Sequence, residues 1–119
     1  MNDVVKKGAS GVCAALFLWG WSHCLSLSLA WAGQAEGKRI YVAHCLSCHG
    51  LKGDGKGPKG GYLTPAPPDF TEPAYWQDKT DSYLFHVVQN GMGSMPGWSD
   101  RLSPDNIEKV LSYIRSFRR

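Results

Sequence analysis

Two thiols and an imidazole fall within five residues, at Cys45-Leu46-Ser47-Cys48-His49. Two residues between the cysteines amount to about one helical turn, so both sulfurs lie on one side of the backbone. His49 follows at the end of that turn. This is the C-x-x-C-H spacing that attaches a c-type haem. The thiols can form thioether bonds to the haem edge, and the imidazole can reach the iron as proximal ligand. A bare C-x-x-C also suits a redox dithiol or half of a zinc site. The dithiol reading needs a βαβ context, which the sequence lacks. The zinc reading needs a second ligand pair. The only other cysteines, Cys13 and Cys24, lie ten residues apart in an apolar leader.

A second chemical element is Gly91-Met92-Gly93-Ser94-Met95-Pro96-Gly97-Trp98. A methionine between small residues in a Gly/Pro loop is an odd thing to bury as core. It suits a thioether presented to iron. Pro96 restricts Met95 to extended geometry, which would hold its sulfur outward. Met92 is the rival sulfur. Ordinary hydrophobic packing remains open for both.

Other candidates have a bland reading beside a chemical one. Gly50–Gly61 carries six glycines with Lys52, Lys56 and Lys59. No G-K-[S/T] occurs and no strand precedes it, which argues against a phosphate loop. It reads as the turn that leads the chain from His49 round the haem edge. The carbonyl of Pro58 could accept a hydrogen bond from the far ring nitrogen of His49 and fix the ring; the alternative is an ordinary turn proline. Trp76 could donate to a haem propionate, but core packing explains it more simply. His86 is a possible ligand on a helix, and a surface histidine is the simpler account.

These residues must be positioned by helices. Gln34 to Cys48 reads as a helix, with Ile40, Tyr41, His44 and Cys45 at helical spacing. Gly37 lies on the Tyr41 face, where it would let another helix cross closely; a frayed start explains it as well. Tyr62–Asp78 contains four prolines and reads as an ordered, irregular wrap that packs Leu63, Phe70, Tyr75 and Trp76 on the cofactor. Thr80 or Asp81 can cap a helix running to about Gln89, which Asn90-Gly91 would end. Ser103-Pro104-Asp105 opens a last helix. Its apolar face is Ile107, Val110, Leu111, Ile114 and Phe117, and Tyr113 could meet the Gly37/Tyr41 face.

Residues 1–32 read as a secretory signal: Lys6 and Lys7, an apolar stretch of about 18 residues from Val12 to Leu29, then Ala30-Trp31-Ala32. An uncleaved anchor is the rival, although Ser22, His23, Ser26 and Ser28 interrupt the apolar run. Cleavage after Ala32 would remove Cys13 and Cys24 and leave residues 33–119 as one domain. That domain has 11 basic and 9 acidic residues, a balance of +2. The whole chain, at +3, is too weakly basic to point to nucleic acid. A chain this short buries a modest core by itself, so the cofactor becomes part of the fold.

With Cys45-Leu46-Ser47-Cys48-His49, Gly57-Pro58, Met95-Pro96 and the Tyr113-Ile114 helix in that order, residues 33–119 resemble a class I, monohaem cytochrome c of bacterial type. The resemblance implies an all-α cytochrome c fold of three or more helices around one covalent haem c, with the first and last helices crossing. It implies His49 and Met95 as axial ligands and Pro58 as the acceptor for His49. It implies single-electron transfer between a redox donor and an acceptor, which are membrane-associated complexes or other cytochromes, rather than catalysis. The expected location is the periplasm, with membrane attachment only if the leader is retained. Two other classes stay open: a haem subunit of a larger membrane oxidase or dehydrogenase, and a gas-binding haem sensor or enzyme with a labile sixth ligand.

Overall fold

The computed structural model describes residues 21–119. The basic start and the first half of the apolar leader lie outside the described residues. Four helices and one small hairpin follow in order: α1 (Trp21–His44), α2 (Leu46–His49), α3 (Asp81–Asn90), β1 (Gly91–Met92), β2 (Met95–Pro96) and α4 (Pro104–Arg115). Two short 3₁₀ helices, Gly60–Tyr62 and Pro73–Trp76, lie between α2 and α3. The architecture is mostly helical, as expected.

Helix ends follow local chemistry. The Thr80 hydroxyl accepts from Tyr83 N at 3.1 Å and starts α3. The Ser103 hydroxyl accepts from Asn106 N at 3.2 Å and starts α4, with Pro104 in its first turn. Both caps are those expected from sequence. The helix expected over Gln34–Cys48 differs. It begins earlier, at Trp21, and stops at His44; Cys45 (φ −111°) is a joint, and the backbone resumes as α2. Helical bonds still cross that joint, from Cys45 N to Tyr41 O at 2.8 Å and from His49 N to Cys45 O at 2.9 Å. Among the described residues, no helix is long and apolar enough to cross a membrane.

The Pro-rich wrap is more regular than four prolines suggested. Pro73 occupies the first turn of a 3₁₀ helix, where a missing N–H costs nothing. The segment Gly91–Trp98 is not a plain loop: β1 and β2 pair antiparallel, Gly91 opposite Pro96 and Met92 opposite Met95.

The core lies where α4 packs on α1. Tyr41, Ile107, Val110 and Leu111 are almost fully buried, joined by Ile40, Leu84, Val88, Leu102 and Ile114. Tyr41 meets Tyr113 edge-on at 5.4 Å between ring centroids and Phe117 at 5.3 Å. Gly37 makes the crossing possible. A Cβ there would press into the Lys109 carbonyl, 2.9 Å from its carbon and 3.1 Å from Tyr113 Cβ. The close-crossing reading of Gly37 therefore holds. At the other end of α4, Arg115 Nε donates to Asp81 Oδ1 at 3.1 Å and joins α4 to the start of α3. Asp81 is exposed, so this pair adds at most about 1 kcal/mol.

Burial holds the Tyr41 phenol well above its ordinary range, helped by Cys45, Tyr113 and Asp54. Burial, with Tyr83 and Asp78 nearby, pushes Tyr75 up to about 12. An unfolded phenol ionises near pH 10. Above that pH the unfolded chain releases protons that the folded chain keeps, so rising pH favours unfolding. The expected result is full stability from this source below about pH 10 and a progressive loss between about pH 10 and 12. Urea midpoints across that window check it; Tyr41→Phe should lower the starting stability yet flatten the alkaline loss.

Candidate haem site

One cavity of about 360 Å³ lies between the Cys45–His49 turn, the Pro-rich wrap, α3, the hairpin and the inner face of α4. This is a size typical of cofactor pockets. Cys45, Cys48, His49, Met92 and Met95 all line it. Pro58 does not.

The turn is held in place by backbone bonds. His49 N and Cys48 N both donate to Cys45 O, at 2.9 and 3.2 Å. The Gly/Lys loop then folds back on it: Gly57 N donates to Cys48 O at 3.2 Å and Lys59 N to Ser47 O at 2.8 Å. Gly57 is needed for this approach, since a Cβ would lie 2.5 Å from Ser47 O and 2.6 Å from Leu46 O. The loop forms the turn expected of it. Tyr41 Oη donates to Gly50 O at 2.7 Å and ties the residue after His49 to the helix crossing.

His49 lies parallel to Phe70, with centroids 4.9 Å apart and planes at 14°. Burial lowers its pKa, so the ring is neutral and keeps a lone pair for a metal. Its Nδ1 is buried with no hydrogen-bond partner. The expected bond from Nδ1 to the Pro58 carbonyl is therefore not formed. Pro58 is exposed, between the Gly57 and Lys59 amides that donate to Cys48 O and Ser47 O. Trp76 packs as core, the simpler of its two readings: it is buried, and its Nε1 donates to Phe70 O at 2.8 Å. His86 is exposed, bonded to Asn90, and does not line the cavity.

Burial, reinforced by Cys48, pushes the Cys45 thiol up to about 12. A redox dithiol needs a depressed pKa, so this environment argues against that rival. The zinc reading loses too: among the described residues no three His, Cys, Asp or Glu side chains are grouped to hold a metal ion.

The two methionines differ in packing, not in direction. Directly opposed residues of an antiparallel pair project to the same face. Met95 is half-buried and packs on the core, whereas Met92 is exposed and its Sδ accepts from Tyr83 Oη at 3.5 Å.

Residues that the sequence did not single out complete the wall. His44 lines the cavity and packs on Trp98 at 5.0 Å. Lys79 reaches the rim, bonded to Asp78 at 2.7 Å, with Nζ 5.9 Å from the Tyr75 ring centroid and 5.3 Å from that of Tyr83. Among the described residues, Lys59 is the other lysine or arginine lining the cavity, and no carboxylate lines it. An apolar slot with two cationic side chains, thiols at one edge, a neutral imidazole with its Nδ1 buried away from solvent, and a thioether fits a flat iron macrocycle with two carboxylates.

Residues 32–114 match the family described as cytochrome c oxidase, cbb3-type, subunit III. Cytochrome c6 of Gloeothece citriformis is 34% identical over 111 residues, covering 92% of this chain and 93% of that protein. The cbb3-type cytochrome c oxidase subunit FixP of Bradyrhizobium diazoefficiens is 30% identical over 83 residues, covering 69% of this chain. The matched part spans only 27% of FixP. Among solved structures, the KustC0563 c-type cytochrome shares the fold at a TM-score of 0.62 and 20% identity, covering 70% of this chain and 98% of that one. A chain of the Kuenenia stuttgartiensis reducing HAO-like complex Kustc0457/Kustc0458 does so at 0.64 and 24%, covering 74% and 44%. With its thiol–imidazole turn and thioether brought to one cavity inside the matched span, the chain belongs to the cytochrome c family, as a class I monohaem c-type cytochrome with a covalently bound haem c.

Proposed function

We propose that this protein is an exported, non-enzymatic carrier of single electrons. Cys45 and Cys48 would hold haem c by two thioethers, and His49 and Met95 would bind its iron. The observation that carries this reading is the convergence of those four side chains on one cavity. When bound, the haem would supply one-electron redox chemistry.

The protein's own groups set the terms of that exchange. Two fixed ligands leave no position for substrate. They also keep the site's shape similar in both states, which keeps reorganisation small. A thioether and an apolar wall favour the less charged, reduced state and raise the potential. Phe70, stacked on His49, limits rotation of the ring.

The test is the visible spectrum of the reduced protein before and after carbon monoxide. An unchanged spectrum is expected, because both axial positions are filled. A clear shift would mean an exchangeable site and would move the assignment to sensing or catalysis. The sensor reading has lost its candidate distal residue, since His86 points elsewhere.

Export is supported by the basic-apolar-AxA pattern and by a family match that begins at residue 32, where the A-x-A ends. The described part of that segment belongs to a helix continuous with the domain. The periplasm is the compartment this reading names. Partners are redox proteins, either membrane-associated complexes or other cytochromes. A second reading, the haem subunit of a membrane oxidase, draws on the cbb3-type match and on FixP. N-terminal sequencing of the exported protein separates them: a start at Gly33 supports the free carrier, and a retained leader supports the anchored subunit.

Lys52, Lys56 and Lys59 are exposed on the loop that folds against the Cys45–His49 turn. They are placed to steer an acidic partner to the haem edge. Changing all three to Gln should flatten the dependence of electron exchange on ionic strength. An unaltered dependence would remove the steering role.

A further inference from the structure

We propose that Met92 is a second thioether donor for the same axial position, held in reserve beside Met95. The proposal rests on the thioether-ligated reading above. Three observations carry it. Met92 and Met95 are direct cross-strand partners, so both side chains project to one face. Both line the cavity. Met92 is not packed as core: it is exposed, and among the described residues its sulfur is engaged only by the Tyr83 hydroxyl, at 3.5 Å.

The hairpin's base is rigid, which keeps the two sulfurs in register. Gly91 has φ +82°, and a Cβ on it would lie 2.5 Å from Met95 O. A Cβ on Gly97 would lie 2.8 Å from the Asn90 carbonyl carbon. Trp98 N donates to Val88 O and Gln89 O and fixes the strand's exit to α3. A one-residue slip would send both methionines to the other face. No backbone change is needed to exchange them. Methionine has three rotatable bonds and no branch, so side-chain rotation suffices to bring the second sulfur forward.

Two groups on the wall make the reserve position distinct. Tyr83 Oη gives Met92 a resting partner outside coordination. The exposure of Met92 leaves space for its side chain to swing. The exchange itself is balanced: one iron–sulfur bond breaks, one forms, and no electron or proton moves. Its consequence is that loss of Met95 from the iron does not open the site to small ligands.

The experiment compares wild type, Met95→Leu, Met92→Leu and the double variant as haem-loaded proteins. Leu keeps the volume of Met but cannot ligate. Iron-edge X-ray absorption reads the axial sulfur, and carbon monoxide binding reads vacancy. Met95→Leu should keep an iron–sulfur neighbour and resist carbon monoxide; the double variant should lose the sulfur and bind carbon monoxide. Met1 is the only other methionine in the chain, so no third thioether can substitute. An iron without axial sulfur in Met95→Leu, with sulfur present in wild type, overturns the reserve role and leaves the Met95 assignment standing. Absence of sulfur in wild type removes both. A second measurement reads competition for the iron directly, using Met95→Leu beside the double variant and, in case leucine at 95 does not fold, Met95→Ala beside Met92→Leu with Met95→Ala. Imidazole should bind the ferric double variant severalfold more tightly than the matching single variant, because Met92 competes for the iron only in the single variant. Equal imidazole affinities within both pairs overturn the proposal.

Discussion

Gly37→Ala should destabilise the protein by about 2 kcal/mol. Two effects oppose each other. Alanine in a helix interior is worth about 1 kcal/mol over glycine. Against this, the added methyl meets the Lys109 carbonyl and Tyr113 Cβ, and the Lys109 contact is backbone that cannot rotate away. Overpacking of this kind costs about 1–3 kcal/mol and occasionally more, and here the helices must part to relieve it. The clash wins. For a domain of this size the loss corresponds to a fall in Tm of roughly 10 °C. Gly33→Ala supplies the control. It is one turn earlier in α1, and a Cβ there meets nothing within 4 Å. It should gain up to about 1 kcal/mol. Thermal melts of the two variants with haem bound decide the matter; equal shifts would mean that α1 and α4 do not cross at Gly37.

The second large effect is loss of the cofactor. Cys45→Ser with Cys48→Ser removes both covalent links. At about 24 cal/mol per Å³ of unfilled cavity, about 360 Å³ corresponds to roughly 9 kcal/mol. The cavity opens to solvent, so this is an upper figure. It still rivals the whole stability of an ordinary domain, about 5–15 kcal/mol. The double variant should therefore retain helix in the far-ultraviolet circular dichroism but lose fixed packing, with weak near-ultraviolet signal and raised dye binding. A sharp thermal transition in the haem-free double variant would show that the protein core is sufficient by itself.

Local patterns were legible in the sequence, and contacts between distant segments were not. The Cys45–His49 turn, the Thr80 and Ser103 caps and the α4 stripe depend on residues within one or two turns of each other, so spacing alone specifies them. Gly37 was legible because a glycine on an apolar helix face asks for a neighbour. The hairpin was missed: two-residue strands carry no periodicity, and Gly and Ser at its tip read equally well as loop. The break at Cys45 was missed because no Gly or Pro marks it. His44 and Lys79 escaped notice as wall residues since their places depend on Trp98, Tyr75 and Tyr83, from other parts of the chain. Pro58 and Trp76 show the converse. Each had a chemically apt group, but the folded chain gives Trp76 a carbonyl partner within the core, and His49 Nδ1 makes no bond to the Pro58 carbonyl.

The bond from Tyr41 Oη to Gly50 O has a consequence for cooperativity. Tyr41 is at once the centre of the α1–α4 aromatic cluster and the tether of the residue after His49. Parting the helices pulls on the ligand turn, and loosening the turn exposes a buried phenol. The two regions should therefore unfold as one unit. The colour of the iron then reports on helix packing some residues away. A denaturation curve followed at the haem band should superimpose on one followed by helical signal.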